Sequence, residues 1–350
     1  FEIANSSRFP KLWLEVFNET AIPFATGSRV LTLVNGKQKR SYTARTWLTA
    51  RGGFLLGPTR VSSGDPFGIF RVSKTFPARD SLVVLPMLVN VSEFYSPPGL
   101  LPGGQVIRRK SQDVTPHAAG VREYVPGDPL KRIHWPTSVR RDKLMVKEFE
   151  QDLQSEVWLF IDTHRSVLLR RRKVILPPST LEYAVSAAAS LARYFIAGRR
   201  SVGLVSASGR SYKIIPAERS ERQEAKILEA LAFLTNESFF TLPALVTAQM
   251  GQLPQGSSAI LVTPMIYPEL LIAVDSLQRR SLRPTVVLLM TLSFGSRVGN
   301  EDLARSLEER KVPVCRVYCD EDLGVTLSSF YSKTNAQEYS WRKPVLSHLT

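Results

Sequence analysis

Disulfides, membrane spans and familiar catalytic signatures are all scarce in this chain of 350 residues. Its two cysteines, Cys315 and Cys319, share the strand-like run 313–319. Four residues of extended chain span roughly 13 Å, beyond disulfide reach, so the two cannot pair there and read instead as small buried side chains. Sparse cysteine also fits a reducing compartment. No stretch approaches the roughly 18 consecutive apolar residues that a membrane-spanning helix needs. The longest candidate, Ala259–Val274, is broken by Pro264, Pro268 and Glu269. No signal peptide is visible, and a chain opening on Phe1 is what a fragment trimmed of preceding membrane helices would show. Four histidines, His117, His134, His164 and His348, form no His-Glu-x-x-His pair. A Walker phosphate loop, a Gly-x-Ser-x-Gly nucleophile turn and internal repeats are missing too, so an enzyme of those classes is excluded.

What is abundant is positive charge. Forty-six Lys and Arg against 31 Asp and Glu give a formal net charge of +15, which calls for an acidic partner, an anionic membrane surface or a nucleic acid. The densest cluster lies in Gln105–Lys147, where ten basic residues face four acidic ones. Basic runs such as Arg108-Arg109-Lys110 and Arg170-Arg171-Arg172-Lys173 would supply affinity for phosphates without sequence preference. No nucleic-acid recognition module accompanies them, and aromatics are not interleaved with the charges as base stacking requires, so nucleic acid is the disfavoured partner. A solvated, solubilising surface accounts for part of the charge.

The chain is long enough for two domains, each with its own core. Residues 1–91 carry short β-rich runs, Leu12–Phe17, Arg29–Val34, Ser41–Thr49, Phe54–Val61 and Leu82–Leu85, separated by turns such as Asn35-Gly36. This pattern predicts a small antiparallel β-sandwich, with Phe67 and Phe70 of the Asp65-Pro66-Phe67-Gly68 turn folded back onto it. Residues 92–155 begin with a Pro-, Gly- and Ser-rich stretch, Ser92–Gly104, and continue with little periodicity, as a linker does.

From residue 156 to the end, continuous apolar runs alternate with amphipathic segments, the signature of a parallel sheet covered by helices on both faces. The strands read Val157–Ile161, Val202–Ser206, Ala259–Val262, Thr285–Met290 and Val312–Tyr318, with Tyr212–Ile215 as an antiparallel excursion after Ser208-Gly209. A capping box, Ser179 with Glu182, opens a helix that stops at Gly198. Leu181, Ala184, Val185, Ala188, Leu191, Ala192 and Phe195 line one side of it. A second box, Ser220 with Gln223, opens another helix, and Tyr267–Arg280 and Glu301–Arg310 supply two more.

Ligands of such sheets gather at the carboxyl ends of the strands, and Asp162-Thr163-His164-Arg165-Ser166 directly follows the first. An Asp followed by hydroxyls can aim hard oxygens into one loop, as Mg²⁺ requires. Here the domain resembles the von Willebrand factor A fold, whose metal motif Asp-x-Ser-x-Ser is joined by a Thr and an Asp from later loops. Asp162 and Ser166 match the outer positions, and Thr241 could be the distant Thr. His164 replaces the middle Ser, and Thr263-Pro264 stands where an Asp often lies, so the resemblance implies a degenerate site for Mg²⁺ and no other cofactor. The structural alternative is that Asp162 and Ser166 merely cap loop amides.

A more specific motif lies upstream: Arg122-Glu123-Tyr124-Val125-Pro126-Gly127-Asp128, then Ile133-His134-Trp135 and Arg140. Pro126-Gly127 suits the centre of a type II turn that presents Asp128. The arginines could form buried or bridging charge pairs, and Trp135 could anchor the loop in a pocket. This segment resembles the bacterial family called domain of unknown function 58. Arg51-Gly52, Leu56-Gly57-Pro58 and Asp65-Pro66-Phe67-Gly68 resemble that family's β-domain. The resemblance implies a membrane-anchored, non-catalytic adaptor with two membrane helices ahead of the β-domain and the soluble part on the cytoplasmic side. It also implies a MoxR-type AAA+ ATPase and a transglutaminase-like membrane protein as partners. The net positive charge agrees with the positive-inside tendency and with an anionic membrane nearby. Two roles stay open for the motif: a strap joining the domains with Trp135 packed between them, or a partner-binding surface. The competing functions are binding of nucleic acid or anionic lipid through the basic patches, and a metal-assisted hydrolase using Asp162, His164 and Asp128.

Overall fold

A computed structural model of the chain describes residues 1–25, 27–65, 67, 69–77, 79–95, 118–125, 133–149, 156–169 and 179–330. The N-terminal region is all β, as its alternating runs predict. Strands β1 (Glu2–Ala4), β2 (Lys11–Thr20), β3 (Arg29–Val34), β4 (Lys39–Ser41), β5 (Gly52–Gly64), β6 (Arg71–Phe76) and β7 (Asp80–Val84) follow in chain order. They make a five-stranded antiparallel sheet, ordered β3-β2-β5-β6 with β7 also on β5, and a separate β1-β4 ribbon. Leu14, Val16 and Val34 are buried. Two expectations are corrected in this region. The run Ser41–Thr49 is extended only at its first residue, where β4 ends. Phe67 and Phe70 are exposed instead of folded back, because Asp65 holds their turn locally: its carboxylate accepts from the backbone N–H of Phe67 at 2.9 Å and of Phe70 at 2.5 Å.

The C-terminal domain is the expected α/β structure. Its strands are β10 (Val157–Ile161), β11 (Val202–Ser208), β12 (Ser211–Glu218), β13 (Ser258–Thr263), β14 (Arg283–Leu289) and β15 (Val314–Val317). They form one sheet ordered β12-β11-β10-β13-β14-β15, parallel except for the edge strand β12, which returns antiparallel from β11. Ahead of this sheet a small hairpin pairs β8 (Ala118–Glu123) with β9 (Met145–Phe149), with helix α1 (Trp135–Arg141) between them.

Side chains alternate along a strand, so a continuous apolar run feeds two layers at once. Val157, Leu159 and Ile161 of β10 face one core, with α2 (Thr180–Ala197), α3 (Arg222–Ala232) and the helical residues 323–330. Trp158 and Phe160 face the other, with α4 (Leu242–Gln249), α5 (Glu269–Arg279) and α6 (Glu301–Glu309). At about 1.5–3 kcal/mol for each large apolar side chain fully withdrawn from water, this two-sided burial is the main source of the domain's stability. Gly203 lets the Trp158 indole lie against the next strand: a Cβ there would meet the ring at 2.7 Å.

The first capping box forms as expected. Ser179 Oγ accepts from the Glu182 N–H at 3.2 Å, and Gly198 ends α2. The second does not. Glu221 occupies the N-cap position of α3, and Gln223 is buried with its amide donating to the carbonyls of Val202 and Pro216, both at 2.7 Å. Among the described residues Ser220 Oγ has no hydrogen-bond partner. A Gln that can satisfy two strand carbonyls in the interior is worth more there than at an exposed cap.

Two features tie the β region to the α/β domain. Val91, Phe94 and Tyr95 belong to the α2-side core, although their position in the sequence marks the start of a linker. Phe94 packs edge-on against Phe195 and tilted against Phe330, while Ser190 Oγ and Ser328 Oγ accept from the N–H groups of Val89 and Ser92, both at 3.0 Å. The second tie is Arg51, just before β5. Its side chain, 8% exposed, donates from Nε to the Leu231 carbonyl at 3.0 Å and from Nη2 to the Leu234 carbonyl at 2.5 Å, and pairs with Glu182.

Candidate functional site

Residues singled out in the sequence fall into two places, the hairpin before the α/β domain and the crest of its sheet. In the hairpin, Ile133 bridges to Val146, and Ile133, Met145 and Val146 are buried. Helix α1 starts on Trp135-Pro136, where proline loses nothing because the first N–H groups of a helix have no partner in it. It ends at Asp142, whose backbone is left-handed with φ 50°, with Arg140 and Arg141 in the last turn, where the helix dipole favours cations. One serine fixes the helix to the strand: Ser138 Oγ accepts from the Met145 N–H at 2.8 Å and donates to the His134 carbonyl at 3.0 Å. The His134 N–H donates to the Met145 carbonyl at 2.7 Å, and His134 Nδ1 lies 2.7 Å from Thr137 Oγ1.

This geometry corrects the placing of Trp135. Its side chain is 61% exposed, and Val139, one helical turn on, is 79% exposed. Residues four apart lie on one side of a helix, so the two make a single apolar stripe beside the exposed Arg140 and Arg141. Anchoring comes from Ile133 and Ser138, which leaves Trp135 outward. Tyr124 is half-buried, and its N–H donates to the Leu144 carbonyl at 2.8 Å. Arg140 is exposed, without an ion pair among the described residues, and Asp128, the carboxylate of the same motif, lies outside them. Arg122 lies on β8, and Pro126, Gly127, Asp128 and Arg132 lie outside the described residues.

At the crest, the loop after β10 lies where the sheet order reverses between β10 and β13. Asp162 is 3% exposed. Its Oδ2 accepts from Thr263 Oγ1 at 2.6 Å and its Oδ1 from the His164 N–H at 3.1 Å. Burial pushes this carboxyl above the usual range, outweighing the two hydrogen bonds that favour the charged form. Thr263, which in the sequence stood for a missing carboxylate, is therefore the donor that makes a buried Asp162 tolerable. Thr163 Oγ1 donates to the Ala207 carbonyl at 2.7 Å, and Ser166 Oγ lies 2.6 Å from His164 Nδ1. His164 bridges to Ser238, and Thr241 is exposed at the N-cap of α4 without a side-chain cap bond.

The structure thus brings Asp162, His164 and Ser166 into one loop and holds Thr241 apart from their hydrogen bonds. These residues do not fit Mg²⁺. The single carboxylate is buried with both oxygens occupied by protein donors, and no group of three His, Cys, Asp or Glu stands together among the described residues. Nor do they make a Ser-His-Asp relay. Asp162 bonds the backbone N–H of His164, where a relay needs the carboxylate on the ring, and the imidazole Nδ1 meets Ser166 Oγ instead.

Sequence reasoning missed the charged aromatic cluster beside this loop. The Arg165 guanidinium lies 4.8 Å from the centroid of the Phe239 ring, and that of Arg210 lies 5.6 Å from it. Three separate segments supply the cluster, so no motif or spacing could have shown it. Cys315 and Cys319 are buried and not joined by a disulfide, and no described helix is long and apolar enough to cross a membrane.

Comparison with known proteins gives three findings. The model of the family described as protein of unknown function DUF58 matches residues 120–320. The uncharacterized protein YeaD of Bacillus subtilis (strain 168) is 30% identical over 200 residues, 55% of this chain and 46% of YeaD, so the chain spans about half the length of that relative. Among solved structures, the pilus adhesin SpaC from Lactobacillus rhamnosus GG superposes with a TM-score of 0.37 at 8% identity, over 53% of this chain and 31% of SpaC. The von Willebrand factor type A protein from Catenulispora acidiphila gives 0.33 at 14% identity, over 54% and 43%.

Proposed function

This chain belongs to the DUF58 family, and from that premise we propose that it is a non-catalytic scaffold that binds proteins, working in its full-length form at the cell membrane with a MoxR-type AAA+ ATPase. The observation that carries this reading is the outward stripe of Trp135 and Val139. A large aromatic and a branched aliphatic side chain stand in water on a short helix that Ser138 and the buried Ile133 fix to β9. Aromatic anchors beside arginine are the composition of protein-binding hot spots, and a rigid support lowers the entropic cost of docking. The motif therefore acts as a presented surface and as a folded hairpin at once. Soluble regions on the cytoplasmic side, near an anionic bilayer, suit the net charge of +15. A transglutaminase-like membrane protein is a second expected partner.

Capture of a MoxR-type ATPase from the same organism is the test. The full-length protein should retain it, and Trp135→Ala or Val139→Asp should cut retention about tenfold or more at unchanged stability, the usual size of a hot-spot loss. A wild-type protein that retains no ATPase, with or without nucleotide and Mg²⁺, ends this reading.

A further inference from the structure

We infer that Arg165, Phe239 and Arg210 form a metal-independent docking site for a carboxylate-bearing, Asp- or Glu-rich segment of a partner protein; this rests on the scaffold reading and specifies its partner chemistry. The carboxyl ends of β10 and β11 adjoin in the sheet, and they are where an open α/β sheet receives ligands. The loop after β10 supplies Arg165, the turn after β11 supplies Arg210, and the segment ahead of α4 supplies Phe239. The backbone fixes this arrangement: the Arg165 N–H donates to the Ser238 carbonyl at 3.3 Å, and the Phe239 N–H to the Gly209 carbonyl at 3.0 Å.

Phe239 is 50% exposed, and both guanidinium groups lie against its ring. Among the described residues neither arginine has a carboxylate in ion-pair contact, so two like charges stand together uncompensated. Stacking restricts each guanidinium while its N–H edges stay open, the state that favours bidentate binding of a planar carboxylate. The buried Asp162 has both oxygens occupied and does not serve as a counter-ion at the surface. A bilayer is the poorer occupant, since burying the Phe239 ring in hydrocarbon would carry two charged arginines with it.

Fluorescence anisotropy of a fluorescein-labelled oligoglutamate peptide, titrated with the 350-residue chain at about 150 mM salt, tests the site. The double variant Arg165→Ala/Arg210→Ala should raise Kd about tenfold or more. Arg165→Lys/Arg210→Lys, which keeps the charge but loses the planar fork, should recover only part of the affinity. The pair Arg279→Ala/Arg280→Ala, exposed and on α5 and its C-cap, removes the same charge and should change Kd by less than about twofold, and EDTA should change nothing.

Four results overturn the inference: no peptide binding, equal losses in the two alanine pairs, loss of binding in EDTA, or arginine-dependent binding to phosphatidylglycerol vesicles without peptide binding. The peptide and ATPase experiments fail separately. If no ATPase is captured while the peptide is held through Arg165 and Arg210, the partner assignment falls and the site stands. If ATPase is captured and peptide binding ignores both arginines, the site falls and the scaffold reading stands.

Discussion

Replacing Arg51 by Ala should loosen the β region from the α/β domain, and the structure sets the size of the effect. Leu231 lies in the last turn of α3, where its carbonyl also accepts from the Leu234 N–H at 3.3 Å, and Leu234 lies just past the end. Arg51 satisfies both, at 3.0 and 2.5 Å. Hydrogen bonds from a charged donor contribute about 1.5–3 kcal/mol each. Water can reach the two carbonyls once the side chain is cut back, so the lower value applies, giving about 3 kcal/mol for the two. The ion pair with Glu182 adds less than about 1 kcal/mol, because Glu182 is 52% exposed and solvent screens it. Urea unfolding followed by tryptophan fluorescence reads the change, with Trp13 and Trp47 reporting the β region and Trp158 the α/β domain. Arg51→Ala should lower the transition seen by the β-region probes by about 3 kcal/mol and speed proteolysis between the domains. Arg51→Lys should recover at most about half, since a point charge cannot reach two carbonyls as the planar fork does. A variant within about 0.5 kcal/mol of wild type, with unchanged proteolysis, would refute the claim that this arginine couples the two parts.

Further outcomes follow from the two candidate sites. Since the folded-state pKa of Asp162 is raised, its contribution to stability is fully present below the unfolded-state pKa and is lost as pH rises through the folded one. Asp162→Asn should therefore flatten the fall in stability across that window, measured as thermal midpoint against pH; an unchanged slope would remove Asp162 as its source. Ser138→Ala leaves the buried Met145 N–H unsatisfied and should cost about 1–3 kcal/mol, read by urea unfolding or by faster hydrogen exchange at Met145. Trp135→Ala should change stability by less than about 0.5 kcal/mol, and a larger loss would show that the ring packs in solution as it does not in this structure. Gly203→Ala should cost about 1–3 kcal/mol in calorimetry, because the new methyl meets the Trp158 ring.

The α/β layers were legible in the amino-acid order alone, because two-sided burial leaves continuous apolar runs and one-sided helices leave a 3.6-residue stripe. Both patterns are local: β10 matched its run residue for residue, and α2 began and ended on Ser179 and Gly198. It also carried the family signature in residues 122–140. Whether Trp135 points inward or outward, and whether Gln223 caps a helix or fills the interior, depended on what lay nearby in space. So did the role of Thr263, 101 residues from the Asp162 it supports, and the meeting of Arg165, Phe239 and Arg210 across three segments. Those outcomes came with the folded chain, because burial and hydrogen-bond supply are set by neighbours distant in the chain, which hydrophobic periodicity does not encode.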